Sequence, residues 1–220
     1  MATLTVPHWE AVPQKAQELW AALGRLPIVA PFYLAGGTAL ALRLGHRVSQ
    51  DLDLFANIET LDDDLRRSIV AELQRDYTVT IRQDSMLGLV LEADGEAVSF
   101  FTYGYSLLSP VDVVKGVQVA GEIDIGLMKL DAIAGRGMRK DFYDVYFIAR
   151  QISLDELFAR SAEKYPRSRS FGMRVLASLV DFDIADRQEE PVMLMQAEWE
   201  HVKAFFVAEA RRLGQEWFAH

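Results

Sequence analysis

Apolar positions along the chain change their spacing several times. "QKAQELWAAL", from about Gln14 to Leu23, carries them at helical intervals and runs into Gly24, with Pro27 beyond as a stop. "FYLA" then reads as a short buried strand, Gly36-Gly37 as a turn, and "TALALRLGHR" as a short helix closing near Gly45. "DLDLF" reads as the next strand. Residues 61–75, "LDDDLRRSIVAELQR", read as a helix, because the acids suit its amino end and Leu65, Ile69, Val70 and Leu73 recur at helical intervals. From Thr78 to Leu108 the period shortens to that of strands: "TVTIRQ", "LGLVLEAD" and "AVSFFTYGYSLL", the last two joined by Asp94-Gly95, a strong hairpin signal.

Beyond Asp124 the pattern is helical almost throughout, in "DIGLMKLDAIAGR", "RKDFYDVYFIARQ", "SLDELFARSAEKY", "SFGMRVLASLV" and a stretch from about Val192 to Phe218. The expected class is α+β: a mixed sheet with flanking helices over residues 1–121, then a helical half over 122–220. "DIADRQEEP", residues 183–191, reads as a linker because charge clusters there before a proline.

Composition narrows the function classes. Half of the 220 residues are hydrophobic, enough for a real core. No apolar run approaches the roughly 20 residues that cross a bilayer. The opening "MATLTVPHWE" lacks the features of a signal peptide, so a cytoplasmic protein without a membrane partner is expected. Cysteine is absent, which excludes disulfides, thiolate metal sites and cysteine nucleophiles. The net charge of -9 disfavours long-range attraction of polyanions, yet residues 129–174 hold 10 Lys/Arg against 6 Asp/Glu. That basic stretch, with Arg167, Arg169 and Arg174, reads either as a solvated helical face or as an RNA-facing surface.

The richest chemistry lies in "FYLAGGTALALRLGHRVSQDLDLF", residues 32–55. In a strand, Asp51 and Asp53 share a face with Cα atoms roughly 7 Å apart, while Leu52 and Leu54 enter the core. Two neighbouring carboxylates repel unless solvated or bridged by a cation. Mg²⁺ suits them because it takes oxygen ligands and keeps water and substrate phosphates in its shell. Gly36 and Gly37 let a phosphate approach the backbone, and the helix they open offers amide N–H groups and the Thr38 hydroxyl. Arg47 and Ser49 are placed to contact phosphate or sugar; His46 reads as structural. A nucleoside triphosphate site follows.

"YLAGGTALALRLGHRVSQDLDLF" followed by "MKLDAIAGRGMRKDFYDVYFI" resembles the AbiEii/AbiGii group of nucleotidyltransferase-like toxins, a branch of the DNA polymerase β-like nucleotidyltransferase superfamily. The likeness runs from about Tyr33 to Arg150. It implies a nucleotidyltransferase-like sheet, Mg²⁺, a nucleoside triphosphate, an antitoxin encoded nearby and, in some members, tRNA as acceptor. On this resemblance Gly37 and Thr38 take the place of the phosphate-binding Gly-Ser/Thr, Asp51 and Asp53 that of the metal-binding pair, and Lys129 and Asp144 that of the downstream lysine and aspartate. The spacing agrees: Lys129, Ile133 and Arg136 fall on one helical stripe, so the lysine and the arginine can lean toward the triphosphate, and Lys140, Asp141 and Asp144 line up on the next helix; the alternative for these residues is a surface ion-pair network.

One departure stands out. The superfamily generally supplies a third carboxylate from a later strand, and the matching position here is Ser99. Asp141 or Asp144, or Glu92 or Asp94, takes that role, or the chain binds nucleotide with little transfer. The expected function is an Mg²⁺-dependent nucleotidyltransferase toxin acting on an RNA or protein hydroxyl. The alternative is a catalytically degenerate nucleotide-binding protein.

Overall fold

The computed structural model describes residue 4 and residues 6–218. The chain divides into two compact units, Met1–Gly121 and Glu122–His220.

The first unit is built on a mixed sheet of seven strands: β1 (Tyr33–Leu34), β2 (Leu52–Ala56), β3 (Val79–Ser85), β4 (Gly88–Ala93), β5 (Glu96–Thr102), β6 (Asp112–Val114) and β7 (Val117–Val119), in the order β3-β4-β5-β2-β1-β7-β6. Pairing is antiparallel along β3-β4-β5, parallel between β5 and β2, antiparallel between β2 and β1, and parallel between β1 and β7. Helices α1 (Gln14–Leu23), α2 (Gly36–Leu44) and α3 (Asp63–Leu73) complete the unit.

Alternation explains how β2 divides its side chains. Leu52, Leu54 and Ala56 are buried, joined on the same face by Leu89, Leu91, Val98 and Phe100 from the neighbouring strands. Asp53 and Phe55 point to the other face and keep partial exposure. The predicted hairpin forms at Asp94-Gly95, whose φ values of 49° and 88° match the turn that suits strand twist. Asp62 caps α3 by accepting from Leu65 N at 2.8 Å.

Two features escaped the periodicity. β5 ends at Thr102, so the strand expected to reach Leu108 is shorter, and a second hairpin, β6-β7, follows. Its turn at Lys115-Gly116 closes against the end of α1: a Cβ on Gly24 would lie 1.9 Å from Lys115 O, so only backbone fits there. Buried Arg43 ties α2 to β7 and β6, donating to Ala120 O at 2.7 Å and to Asp112 Oδ2 at 2.6 Å.

The second unit contains α4 (Glu122–Arg136), α5 (Arg139–Ile148), α6 (Leu154–Lys164), α7 (Phe171–Ser178) and α8 (Trp199–Phe218). Phe142, Tyr143, Phe206 and Val202 lie in its core, with Phe142 and Phe206 edge to face at 5.2 Å. Residues 183–191 do not form a linker. Arg139 donates to Ala185 O and through its own amide to Gln188 Oε1, and Tyr143 Oη lies 3.0 Å from Glu190 Oε1. Clustered charge marks this segment as surface, but those contacts anchor it. The expected helix from Val192 begins only at Trp199.

Candidate active site

In the first unit, the glycine turn and the acidic strand are brought together by β1 and β2 running side by side. Leu34 pairs with Leu54, and Ala35 N donates to Asp53 O at 3.1 Å, so Gly36 emerges beside Asp53. Gly36 has φ +70°, and a Cβ there would stand 3.2 Å from Asp53 Oδ2. The same construction on Gly37 would meet Arg47 Nη2 at 2.4 Å and Ser49 Oγ at 3.0 Å. Each glycine therefore makes room for a polar side chain of the site. No side chain caps the amino end of α2 among the described residues.

Five of the expected residues thus converge: Gly36, Gly37, Arg47, Ser49 and Asp53. Arg47 is only 3 % exposed, so it is a built-in cation of the turn and not surface decoration. Thr38 joins them in a different capacity. It is buried, donates to Asp51 O at 2.6 Å and lies 2.9 Å from Ser49 Oγ. Its hydroxyl pins the Ser49–Asp51 segment to α2 where an anion contact was expected. β2 begins at Leu52, so Asp51 stands just before the strand, its carbonyl held by Thr38 and not by the ladder. Fully buried His46 fits its structural reading.

Ser99 lies opposite Asp53 in the β2-β5 register and is buried. The expected third-carboxylate position is therefore occupied by a hydroxyl beside Asp53. Glu92 and Asp94, two of the alternatives, have other engagements: Glu92 pairs with Arg82 at 2.6 Å, and Asp94 Oδ1 accepts from Thr78 N at 2.8 Å.

The second unit holds the remaining residues. Lys129 on α4, 4 % exposed, contacts Asp141 Oδ1 at 2.8 Å and Asp144 Oδ2 at 2.6 Å, both on α5 and both fully buried. Arg136 Nε and Nη2 grip Asp141 through both its oxygens, at 2.8 and 2.9 Å. Burial by itself pushes the Asp141 carboxyl up. The charge of Lys129, with the hydrogen bond and charge of Arg136, outweighs burial and holds it below the ordinary carboxylate value. Two cations and two anions balance here. The ion-pair network weighed against a phosphate role is present, but it is buried where a surface one was expected. Arg136, with 51 % of its side chain exposed, is the member that presents charge outward, and Lys140 is partly exposed.

Periodicity missed a second buried pair, Lys164 Nζ to Asp124 Oδ1 at 2.7 Å, both at 0 % side-chain exposure. Their separation of 40 positions erases any local signal. Of the basic residues of 129–174, Lys129 and Lys164 are buried in pairs and Arg139 holds backbone carbonyls, whereas Arg136, Arg150 and Arg174 are exposed, Arg174 pairing with Asp131 at 2.8 Å. Arg167 and Arg169 remain exposed.

Among the described residues no cluster of three or more His, Cys, Asp or Glu could hold a metal. Asp51 and Asp53 nonetheless offer the donor set that suits Mg²⁺, which is commonly held by one or two carboxylates together with substrate phosphates. No described helix is long and apolar enough to cross a membrane.

Residues 18–127 match the family described as nucleotidyl transferase AbiEii toxin, of type IV toxin–antitoxin systems. An uncharacterized protein of Aquifex aeolicus (strain VF5) is 40 % identical over 185 residues, covering 82 % of this chain and 87 % of the relative. Two solved structures share the fold. MenT4, a nucleotidyltransferase toxin of Mycobacterium tuberculosis H37Rv, has a TM-score of 0.54 at 17 % identity over 90 % of this chain and 86 % of its own. ANT(2")-Ia, solved in complex with adenylyl-2"-tobramycin, has a TM-score of 0.51 at 13 % identity over 74 % and 99 %. With its α+β fold and the glycine turn beside Asp53, the chain belongs to the AbiEii nucleotidyltransferase toxin family.

Proposed function

We propose that the protein transfers a nucleotide from a nucleoside triphosphate to a hydroxyl of RNA, tRNA included, or of protein, depends on Mg²⁺, and is the toxin partnered by a nearby antitoxin. The observation that carries this reading is the packing of Asp53, Arg47 and Ser49 against Gly36 and Gly37. The amides of the turn and Arg47 receive the β- and γ-phosphates, and Ser49 contacts phosphate or sugar. Asp51 and Asp53 would hold Mg²⁺. When bound, Mg²⁺ supplies neutralisation of phosphate charge and acidifies an oxygen in its shell. The acceptor oxygen bonds to the α-phosphorus as the bond to the bridging oxygen breaks, pyrophosphate leaves, and the hydroxyl proton passes to a carboxylate of the pair. Within the second unit, Lys129, Asp141 and Asp144 position Arg136, which with Lys140 presents positive charge outward.

The protein incubated with labelled triphosphates, Mg²⁺ and total RNA or protein is expected to transfer label. Asp53→Asn should remove it by more than the roughly 10–100-fold that loss of a partner outside the metal shell costs. Unlabelled acceptors from both pools would sink the reading.

A second reading rests on Ser99, in register with Asp53. In it the chain binds the triphosphate with little transfer. Ser99→Asp discriminates, because a degenerate site gains transfer on receiving the carboxylate, whereas a competent one does not.

A further inference from the structure

Two main-chain carbonyls, those of Asp51 and Asp53, tie the acidic segment to the glycine turn, and donors of different kinds hold them. Asp53 O accepts from the backbone amide of Ala35 at 3.1 Å. Asp51 O accepts from the side chain of Thr38 at 2.6 Å. Gly36 and Gly37 lie between those two donors in the chain.

Strand register explains the change of donor. β1 and β2 are antiparallel with Leu34 opposite Leu54, so a ladder continued past Ala35 would set Gly37 opposite Asp51. It does not continue. Gly36 takes φ +70° and α2 starts there, while on the other side the β2-β5 register begins only at Leu52. For Asp51 the Thr38 hydroxyl takes the place of a ladder amide.

Counting protons fixes what else Thr38 can do. A hydroxyl carries one proton, whereas a carbonyl oxygen only accepts, and so does an ionised phosphate oxygen. While Thr38 holds Asp51, it has no proton left to give a phosphate. Thr38 is also only 1 % exposed, so water has little access to the bond.

We propose that Thr38 is a positioning residue for Asp51: its hydroxyl fixes Asp51 beside Asp53 and so sets the affinity of the acid pair for a divalent cation, without contributing to the hold on the triphosphate. The proposal rests on the reading of Asp51 and Asp53 as the Mg²⁺ pair, and it gives Thr38 a role other than the phosphate contact implied by the family resemblance. Two carboxylates that share a cation repel each other before it binds. Asp51 stands before the strand, so the threonine bond, and not the ladder, opposes that repulsion.

The test separates metal from phosphate on the full chain. Mn²⁺, which suits the same oxygen ligands, is titrated alone and followed by electron paramagnetic resonance, and a non-hydrolysable triphosphate is titrated separately with EDTA present. Thr38→Val keeps the side-chain shape and removes the hydroxyl. It is expected to weaken Mn²⁺ binding by about 10- to 100-fold, the range for partners that orient a metal ligand, and to leave metal-free triphosphate affinity unchanged. Thr38→Ser should restore Mn²⁺ binding. Wild-type Mn²⁺ affinity in Thr38→Val, or a loss of metal-free triphosphate affinity in it, overturns the positioning role and leaves the acid pair standing. A crystal structure of the wild-type chain with Mg²⁺ and the same triphosphate needs no variant to fold. In it Thr38 Oγ1 should still donate to Asp51 O, and its transfer to a phosphate oxygen would overturn the proposal equally. If the wild type binds no Mn²⁺, or Asp53→Asn binds it undiminished, the reading of the acid pair falls and the role of Thr38 with it.

Discussion

Both units hold clustered charges, yet they use them in opposite ways. In the first unit Asp51 and Asp53 stay partly exposed beside a backbone turn stripped of side chains, with Arg47 packed against it. In the second, Lys129, Arg136, Asp141 and Asp144 pair with one another at 2.6–2.9 Å, three of them essentially buried. The first cluster is the proposed ligand site, and its two carboxylates keep partial exposure. A structural network must satisfy its charges within itself, since a buried ion without a partner costs several kcal/mol. The lesson is that a lysine and an aspartate matched by family resemblance are here held by each other, across α4 and α5.

The sharpest way to break this comparison is to remove one carboxylate from each unit. Asp141→Asn leaves Lys129 with one fewer anion and is expected to cost about 3–5 kcal/mol of stability, as breaking a buried pair does. Asp53→Asn should leave the urea midpoint nearly unchanged while abolishing transfer. Equal stability losses in the two variants, read from denaturant curves, would erase the distinction.

A smaller effect sharpens the description of the turn. Gly37→Ala forces a Cβ to within 2.4 Å of Arg47 Nη2, so the guanidinium must move, at roughly 1–3 kcal/mol for an overpacked position. Nucleotide affinity measured by titration should drop while Gly135→Ala, where a Cβ meets nothing within 4 Å, leaves it unchanged. An unaltered affinity in Gly37→Ala would remove Arg47 from the phosphate site.

The smallest effect is a pH dependence of the second unit. Asp141 titrates below the ordinary carboxylate value of 3.8 in the folded chain, so the unfolded chain binds its proton first as pH falls. Its contribution is present above pH 3.8 and is lost as pH drops through the lower folded value. Thermal unfolding followed from pH 5 downward should show this loss, and Asp141→Asn should flatten that part of the profile. An identical slope in the variant would assign the acid sensitivity elsewhere.

Local chemistry was legible wherever neighbours in the chain are neighbours in space. The 61–75 helix with its acidic start, the Asp94-Gly95 hairpin and the buried Leu52 and Leu54 beside Asp53 all follow from periods of 3.6 and 2 and from turn preferences. The linker reading of residues 183–191 failed because Arg139 and Tyr143, some 47 positions away, supply its anchors. The β6-β7 hairpin escaped for a related reason: three-residue strands carry too few positions for alternation to register.

From its sequence alone the protein declared its α+β class, its family likeness and the residue types of a phosphate turn beside paired acids, because glycine, threonine and aspartate impose those conformations and charges over a few residues. Only the tertiary structure decided that Gly37 faces Arg47, that Ser99 stands beside Asp53, that Thr38 pins a loop, and that Lys129 is enclosed by Asp141 and Asp144. Those relations depend on strand register and on helix packing, where one residue of shift reverses the face a side chain occupies and no local pattern records the outcome.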